Sequence, residues 1–219
     1  MIQRNNITKT YTSHNETVTI FRDTTRHVQT WDFVIIKWPS GSGKSTALQL
    51  IAGLWMPDHG DIVINDIHIS SLNETQRTLW RGQNLSMIFQ DFKLLPLLTV
   101  QENLDLIFQI TPQKPRTDHT KILDILGIHD KLNRFPHELS WWEQQRVAIA
   151  RAFWSQTWLV LADEPTWNLD TKNAHKVMEL FMELHHTYKT TVVMITHDES
   201  LLPYADHLFG IEHENLIAI

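Results

Sequence analysis

Blocks of apolar and polar positions along the chain predict strands that alternate with helices. The β-branched run 33–36 (FVII) leads into a Ser/Gly-rich loop, and residues 47–52 (ALQLIA) after that loop predict a helix. Two more continuous apolar runs, 158–162 (WLVLA) and 191–195 (TVVMI), end in polar residues. Such strands, separated by helical segments such as 171–188, are typical of a mostly parallel α/β sheet covered on both faces. Ligands bind such sheets at the carboxyl ends of the strands.

Two other stretches depart from this pattern. Residues 17–21 (TVTIF) and 62–64 (IVI) predict short strands with turns, and hence an N-terminal antiparallel β layer. Residues 91–150 have a helical pattern with prolines as punctuation, which predicts an inserted α-helical subdomain. A chain of 219 residues fits one domain. We therefore expect a single domain over 1–219, with a core at about 1–90 and 156–219 and a helical subdomain at about 91–155.

Charge and composition exclude several classes of function. The formal charge of −6 provides no basic field of the kind that nucleic-acid binding needs, so we expect no nucleic-acid partner. The absence of cysteine excludes disulfides and thiolate metal sites. The 13 histidines are scattered without ligand spacing, so we assign no metal site to them.

The chain has no apolar run long enough to cross a bilayer, for which about 20 residues are needed. Its polar start (MIQRNNITKT) also lacks the apolar core of a signal peptide. We therefore expect a cytoplasmic protein whose membrane role, if any, depends on a partner.

The loop after the first core strand has the pattern of a phosphate-binding loop. It reads Pro39, Ser40, Gly41, Ser42, Gly43, Lys44, Ser45 and Thr46. Closely spaced glycines let backbone N–H groups point at phosphates, while Lys44 supplies a positive charge to the β- and γ-oxygens and Ser45 a ligand for Mg²⁺. An ordinary Gly/Ser turn is the alternative, but the flanking strand and helix disfavour it. We therefore expect ATP and Mg²⁺ as cofactors.

Two adjacent carboxylates end the strand at 158–162. Asp163 is placed to hold Mg²⁺ through water, and Glu164 to orient and deprotonate an attacking water. Both lie where a parallel sheet presents its ligand-binding edge.

At this point the sequence resembles the ATP-binding cassette family over nearly its whole length. In SMIFQDF, Gln90 is similar to the family's Q-loop glutamine, which contacts Mg²⁺ and the attacking water. In MITHD, His197 is similar to the switch histidine that contacts the γ-phosphate. Tyr11 occupies the place of an aromatic residue that stacks on adenine, although a core tyrosine is the alternative.

The resemblance also implies a site shared between two chains. LSWWEQQRVAIARA at 139–152 is similar to the family signature, which opens a helix whose N-terminus addresses the γ-phosphate bound by the opposite subunit. The residues implied in that contact are Ser140, Trp141, Trp142 and Glu143, and Trp38 joins the phosphate loop on the nucleotide's own side. Asn168-Leu169-Asp170 resembles the D-loop, which couples the two sites. A second copy of the chain is therefore an expected partner.

Tryptophan stands where the family pattern has glycine. This holds at Trp38, Trp141 and Trp142, and close relatives also have glycine at the position of Trp167. The 7 glycines and 9 tryptophans together restore a usual glycine content of about 7%. Our hypothesis is that the host reads UGA as glycine, and that all nine tryptophans are glycine sites. The alternative is a pseudo-ATPase with true tryptophans, whose indoles fill space that phosphate needs.

Among family branches, FQDFKLLPLLTVQENL and ADEPTWNLD are most similar to the ATPase subunits of lipoprotein-release, macrolide-export and cell-division complexes. The resemblance implies an integral membrane permease as partner and a peripheral position on the inner face of the cell membrane. An alternative is a nucleotide-dependent scaffold for cell division, with Phe92, Leu94 and Leu95 as its docking surface or as subdomain core. A soluble DNA-repair or translation ATPase is disfavoured, since those chains usually carry two cassettes or long insertions.

Overall fold

The computed structural model describes residues 2–13, 16–38, 44–110, 119–212 and 215–219, with backbone alone at 3–6, 11–13, 16–27, 45, 212 and 215. The strands are β1 (Ile2–Ser13), β2 (Glu16–Val28), β3 (Phe33–Lys37), β4 (His59–Ile64), β5 (Ile67–His68), β6 (Leu85–Ile88), β7 (Leu159–Asp163), β8 (Thr191–Thr196), β9 (His207–Glu212) and β10 (Asn215–Ala218). The helices are α1 (Lys44–Ile51), α2 (Glu74–Asn84), α3 (Val100–Ile110), α4 (Thr120–Leu126), α5 (Trp141–Trp154) and α6 (Thr171–Tyr188).

The larger sheet has six strands in the order β10-β9-β3-β8-β7-β6. All its neighbours are parallel except β9 and β10, which are antiparallel. The β3, β7 and β8 strands are buried along almost their whole length, as their continuous apolar runs predict. Their carboxyl ends are level, because Lys37 pairs with Thr196 and Asp163 with Ile195. The predicted parallel α/β sheet is confirmed.

The smaller sheet is antiparallel, in the order β2-β1-β4-β5. It confirms the predicted antiparallel layer. The expectation of a short strand was wrong for 17–21, which lies in β2 with 13 residues, whereas 62–64 lies in β4, which has six. The β1 and β2 strands form a long hairpin with register shifts along its length. Apolar runs do not predict the full length of these strands, because stretches such as residues 22–27 are polar. An antiparallel strand can contain such residues, since one of its faces can remain in water.

Helices α3, α4 and α5 lie in the segment that was expected to be helical. Their buried residues Leu104, Ile122 and Val147 belong to the same apolar cluster as Phe33 and Val192 of the sheet. A second cluster, on the other face of the sheet, includes residues of α1 and of the smaller sheet. Among the described residues, no helix is both long enough and apolar enough to cross a membrane.

The nine tryptophans occupy contrasting environments. Trp31 has a φ of 70°, a left-handed conformation that favours glycine and is rare for a bulky residue. Trp154, in contrast, is buried, donates a hydrogen bond of 2.9 Å from Nε1 to Asp105, and stacks on His119 at 3.9 Å. The backbone of Trp31 thus favours the hypothesis of a glycine site, whereas the contacts of the Trp154 indole favour a true tryptophan at that position.

Candidate functional site

Three of the predicted site residues meet at the carboxyl edge of the larger sheet. Lys44 is the first residue of α1, Glu164 follows β7, and His197 follows β8. The Lys44 ammonium forms a close ion pair with Oε1 of Glu164, and Nδ1 of His197 lies 2.9 Å from the same oxygen. The parallel register of β3, β7 and β8 brings these groups together from positions 120 and 33 residues apart in the chain.

The backbone fixes Glu164 as firmly as its side-chain partners do. Its φ is 45°, a left-handed value, and its N–H donates a hydrogen bond of 2.9 Å to the carbonyl oxygen of Ile195 on β8. The residue is 2% exposed. Among the described residues, Oε2 of Glu164 has no hydrogen-bond partner, although it is buried. A buried carboxylate oxygen without a partner is costly unless a water or ligand proton reaches it.

A cavity of about 370 Å³ opens beside Glu164. It is lined by Glu164, Thr166, Trp167, Asn168, Leu169, Thr196, His197, Asp198 and Glu199. A carboxylate (Glu164) and an imidazole (His197) thus line a space of the size that small-molecule sites usually have, and the Lys44 cation is paired with that carboxylate. These groups fit a triphosphate with Mg²⁺, because Mg²⁺ is usually held by one or two carboxylates plus phosphate oxygens. In the part of the chain that the structure describes, no group of three His, Cys, Asp or Glu side chains is arranged to hold a metal ion.

Other predicted residues lie at or near the same edge. Asp163 is the last residue of β7, and Gln90 lies two residues beyond β6, the neighbouring strand. Thr46 is buried on α1. Residues 39–43 of the phosphate loop lie outside the described residues, and at 45 and 11 the backbone alone is described, so the predictions for Pro39, Ser40, Gly41, Ser42, Gly43, Ser45 and Tyr11 remain predictions.

Trp38 does not lie where its proposed steric effect requires. Its side chain is 1% exposed and belongs to the core cluster of Ala47, Leu48 and Ile195. The backbone N–H of Trp38 donates a hydrogen bond of 3.1 Å to the carbonyl oxygen of Thr196. The expectation that this side chain occupies phosphate space therefore has no support in its placement.

The signature residues form a separate group at the start of α5. Ser140 is the N-cap, and its side chain accepts a hydrogen bond of 3.3 Å from the N–H of Glu143. The carboxylate of Glu143 accepts bonds from the N–H and hydroxyl of Ser140. Trp141 and Trp142 are the first two helical residues, and Trp141 lies 4.5 Å from the ring of Phe92. No hydrogen bond among the described residues joins this group to Lys44, Glu164 or His197 within one chain.

Sequence reasoning missed three contacts. Trp167 lies 5.5 Å from the ring of His197 and its ring is 5.9 Å from the Lys44 ammonium. The buried amide of Gln145 donates to the carbonyl oxygen of Pro165, directly after Glu164. The signal for Gln145 was a polar residue on the buried face of a predicted helix, which needs a partner.

The third missed contact joins α5 to the segment that follows Gln90. Arg151 donates hydrogen bonds of 2.6 Å to the carbonyl oxygens of Phe92 and Lys93. Both acceptor residues have a positive φ, of 59° and 49°. Phe92 is buried, which favours the core alternative for this residue, whereas Leu95 is exposed, as a docking surface requires.

Comparison with known proteins agrees with this geometry. Residues 21–167 match the family model described as ABC transporter. The chain belongs to the ATP-binding subunits of this family. An ABC transporter ATP-binding protein of Mycobacterium tuberculosis H37Rv, itself uncharacterized, is 36% identical over 99% of this chain and 89% of its own length. The lipoprotein-releasing system ATP-binding protein LolD of Saccharophagus degradans is 36% identical over 94% of this chain and 92% of its own.

A solved structure supports the fold of the ABC subunit. It is the dimeric post-hydrolysis state of the ATP-binding cassette MJ0796 bound to ADP and phosphate, which has a TM-score of 0.87 and 32% identity over 99% of this chain and 96% of that one. The two chains therefore share their whole architecture.

Proposed function

We propose that this ABC subunit binds and hydrolyses ATP to drive a membrane permease, in a system of the export or lipoprotein-release type. The observation that carries the proposal is the convergence of Lys44 and His197 on one oxygen of the buried Glu164. The similarity to LolD supports the branch, and the ADP-bound relative supports the nucleotide.

In the proposed reaction, a water held by Glu164 attacks the γ-phosphorus of ATP. Glu164 takes a proton of that water, the bond between the γ-phosphorus and the β–γ bridging oxygen breaks, and ADP and phosphate leave. A phosphate that binds the Lys44 ammonium would compete with Oε1 of Glu164 for its N–H donors. His197, which is half exposed beside Glu164, is placed to contact the γ-phosphate. Bound Mg²⁺, held by Ser45, Gln90 and Asp163, would neutralise charge on the phosphate oxygens.

A second copy of the chain would complete the site. No hydrogen bond among the described residues joins the Ser140–Glu143 group to the Lys44–Glu164 pair of the same chain, which is consistent with its supply by another molecule. The dimeric state of the solved relative supports this arrangement.

The permease would dock in a groove of about 290 Å³ between β6, α3 and α5. Its lining combines apolar side chains of Leu106, Ile107 and Ile110 with the basic Lys93 and Arg151. Leu95 and Leu97 are exposed close by in sequence, and Leu97 is 87% exposed. A short amphipathic segment with an acidic residue would match these groups. The peripheral membrane position would follow from that docking.

The proposal is tested by ATP turnover. Replacing Glu164 with Gln keeps the shape and removes the base, so the rate should fall by about 10²-fold or more. Glu183→Gln, an exposed site on α6, is the matched control and should leave the rate unchanged. Equal rates for Glu164→Gln and the parent would overturn the assignment of the base.

A second candidate, a pseudo-ATPase, is favoured by one observation: Trp167 lies against both His197 and Lys44. Turnover is therefore measured in the chain as written and in a four-glycine variant with Trp38→Gly, Trp141→Gly, Trp142→Gly and Trp167→Gly. Turnover confined to the four-glycine variant would support a pseudo-ATPase for the chain as written.

The alternative of a nucleotide-dependent scaffold is distinguished by a transport assay. A scaffold would bind its membrane partner, but the complex would transport no substrate.

A further inference from the structure

The carboxylate of Glu143 lies at the helix end that the proposed function assigns to phosphate. Its Oε2 accepts hydrogen bonds of 2.7 Å from the Ser140 hydroxyl and 2.9 Å from the Ser140 N–H. These two bonds, with help from the Lys131 ammonium, lower the pKa of Glu143 to about 2. Glu143 is therefore negatively charged at neutral pH.

This charge opposes the role proposed for α5. A helix N-terminus attracts anions through its free N–H groups and its dipole. Here an internal carboxylate already occupies that position, and the Ser140 hydroxyl is directed to it. The γ-phosphate of an ATP bound to a second copy would approach a like charge, which is repulsive.

Lys131 is placed to offset part of that charge. Its ammonium lies 3.0 Å from Oε1 of Glu143, the carboxylate oxygen that Ser140 does not bind, and is shared with Asp130, also at 3.0 Å. The single turn His129–Lys131 that carries it is closed by a hydrogen bond of 3.0 Å from the Lys131 N–H to the carbonyl oxygen of Ile128.

The nearest other cation on α5 is engaged elsewhere. Arg146 donates a hydrogen bond of 2.8 Å to the carbonyl oxygen of Leu126, and its guanidinium lies 4.7 Å from the centre of the Trp142 ring. Among the described residues, Lys131 is the one whose cationic nitrogen lies within 4.0 Å of the Glu143 carboxylate.

We propose that Lys131 is a positioning residue of the shared ATP site: by offsetting part of the negative charge of Glu143, it allows the N-terminus of α5 to receive the γ-phosphate bound by a second copy of the chain. The inference rests on the proposed function, because it requires the ATP-bound dimer. Lys131 itself touches neither nucleotide nor the reacting atoms.

The test measures the ATP concentration that gives half-maximal dimer in the four-glycine variant, by sedimentation velocity with EDTA present to prevent turnover. Lys131→Met should raise this concentration about fivefold to tenfold at low salt. The increase should fall below about twofold at 1 M NaCl, where the screening length is about 3 Å. Lys131→Arg keeps the charge and should stay within about twofold of the parent.

A double-mutant cycle separates charge from structure. Once Glu143→Gln has removed the carboxylate, Lys131→Met should add less than about a twofold change. Lys121→Met, at an exposed position on α4, is the control for loss of a lysine from the same part of the fold. A urea unfolding midpoint equal to that of the parent would show that Lys131→Met is folded, and Lys131→Gln is a second neutral variant for the same comparison.

The outcomes are distinct. A shift that persists at high salt, or that persists in the Glu143→Gln background, would mean that Lys131 merely supports the turn, and would overturn the inference. No shift at low salt would overturn it as well. If the four-glycine variant forms no dimer with ATP, the proposed function and this inference fail together, whereas a dimer that is insensitive to Lys131→Met leaves the proposed function standing.

Discussion

Arg151 Nη2 donates a hydrogen bond of 2.6 Å to the carbonyl oxygen of Phe92, and so links the middle of α5 to the segment that follows Gln90. Burial lowers the pKa of this guanidinium, but an arginine remains charged at any physiological pH. Its two bonds are therefore charge-assisted, and they hold two consecutive residues in a left-handed conformation.

Replacing Arg151 with Lys should lower the free energy of unfolding by about 1.5–3 kcal/mol, because lysine keeps the charge but loses the planar fork that reaches both carbonyl oxygens. Urea denaturation checks this value. Arg134→Lys is the matched control. Arg134 is exposed and forms a weak surface ion pair with Glu138 at 3.6 Å, so this change should alter the free energy of unfolding by less than about 0.5 kcal/mol. Equal losses at the two positions would contradict the role given to Arg151.

Replacing Trp31 tests the left-handed backbone at that position. Gly should be more stable than Ala there by about 1 kcal/mol, since the Cβ atom is what makes this conformation costly. Trp55 is the matched control: it is also exposed, but its φ is not positive, so Ala should equal or exceed Gly. Thermal or urea unfolding of the four variants gives both differences, and the same order at both positions would argue against the backbone explanation.

Replacing Trp154 with Gly should destabilise the protein by at least about 3 kcal/mol. The change removes a buried indole, its bond to Asp105 and its stack on His119. Denaturation of the variant measures the loss. If Trp154→Gly leaves the free energy of unfolding unchanged, the core accepts glycine at this position, and the hypothesis that UGA encodes glycine in this gene is strengthened.

The coding DNA gives an independent answer, because UGG codons at 38, 141, 142 and 167 would exclude that hypothesis.

The four-glycine variant should form dimers with ATP to a much greater extent than the chain as written. Trp141 is exposed at the start of α5 and Trp167 lies beside His197, so both indoles stand where a second copy and the nucleotide would approach. Sedimentation with and without ATP measures the difference. Of the four substitutions, Trp38→Gly should increase dimerisation least, because the Trp38 side chain is in the core. Equal dimerisation by the parent and the four-glycine variant would refute the steric argument.

Glu143 should make stability depend on pH in the acid range. A carboxyl group with a folded-state pKa of about 2 and an ordinary value of 4.5 stabilises the fold above pH 4.5, and this contribution is lost as the pH falls towards 2. Glu143→Gln should therefore flatten the fall in unfolding free energy between pH 4.5 and 2. Urea denaturation at several pH values measures the slope, with Glu183→Gln as control, and an unchanged slope would contradict the lowered pKa.

The sequence predicted those parts of the molecule in which one physical signal dominates. Continuous apolar runs identified β3, β7 and β8, and the polar residues after them identified the edge where Lys44, Glu164 and His197 meet. The lengths of β1 and β2 were underestimated, because polar stretches such as residues 22–27 give no such apolar run. Helix α2 was not predicted, although Asn73 and Gln76 form a capping box at its start.

Contacts between distant segments could not be predicted. Nothing local to Phe92 indicates that Arg151, 59 residues later, binds its carbonyl oxygen. The burial of Trp38 and of Trp154 likewise depends on which helices cover them. The pairing of Lys131 with Glu143 requires the turn and the helix to be placed side by side, which only the folded chain does.

The bond from the Gln145 amide to the carbonyl oxygen of Pro165 has a consequence for how two ATP molecules would be consumed. In a dimer of the proposed kind, the α5 helix that contacts one nucleotide is hydrogen-bonded to Pro165. This residue directly follows Glu164, the general base for the other nucleotide. A displacement of α5 at the first nucleotide would thus alter the position of Glu164 at the second. Hydrolysis should then depend on ATP concentration with a Hill coefficient clearly above one, and Gln145→Leu should lower that coefficient towards one.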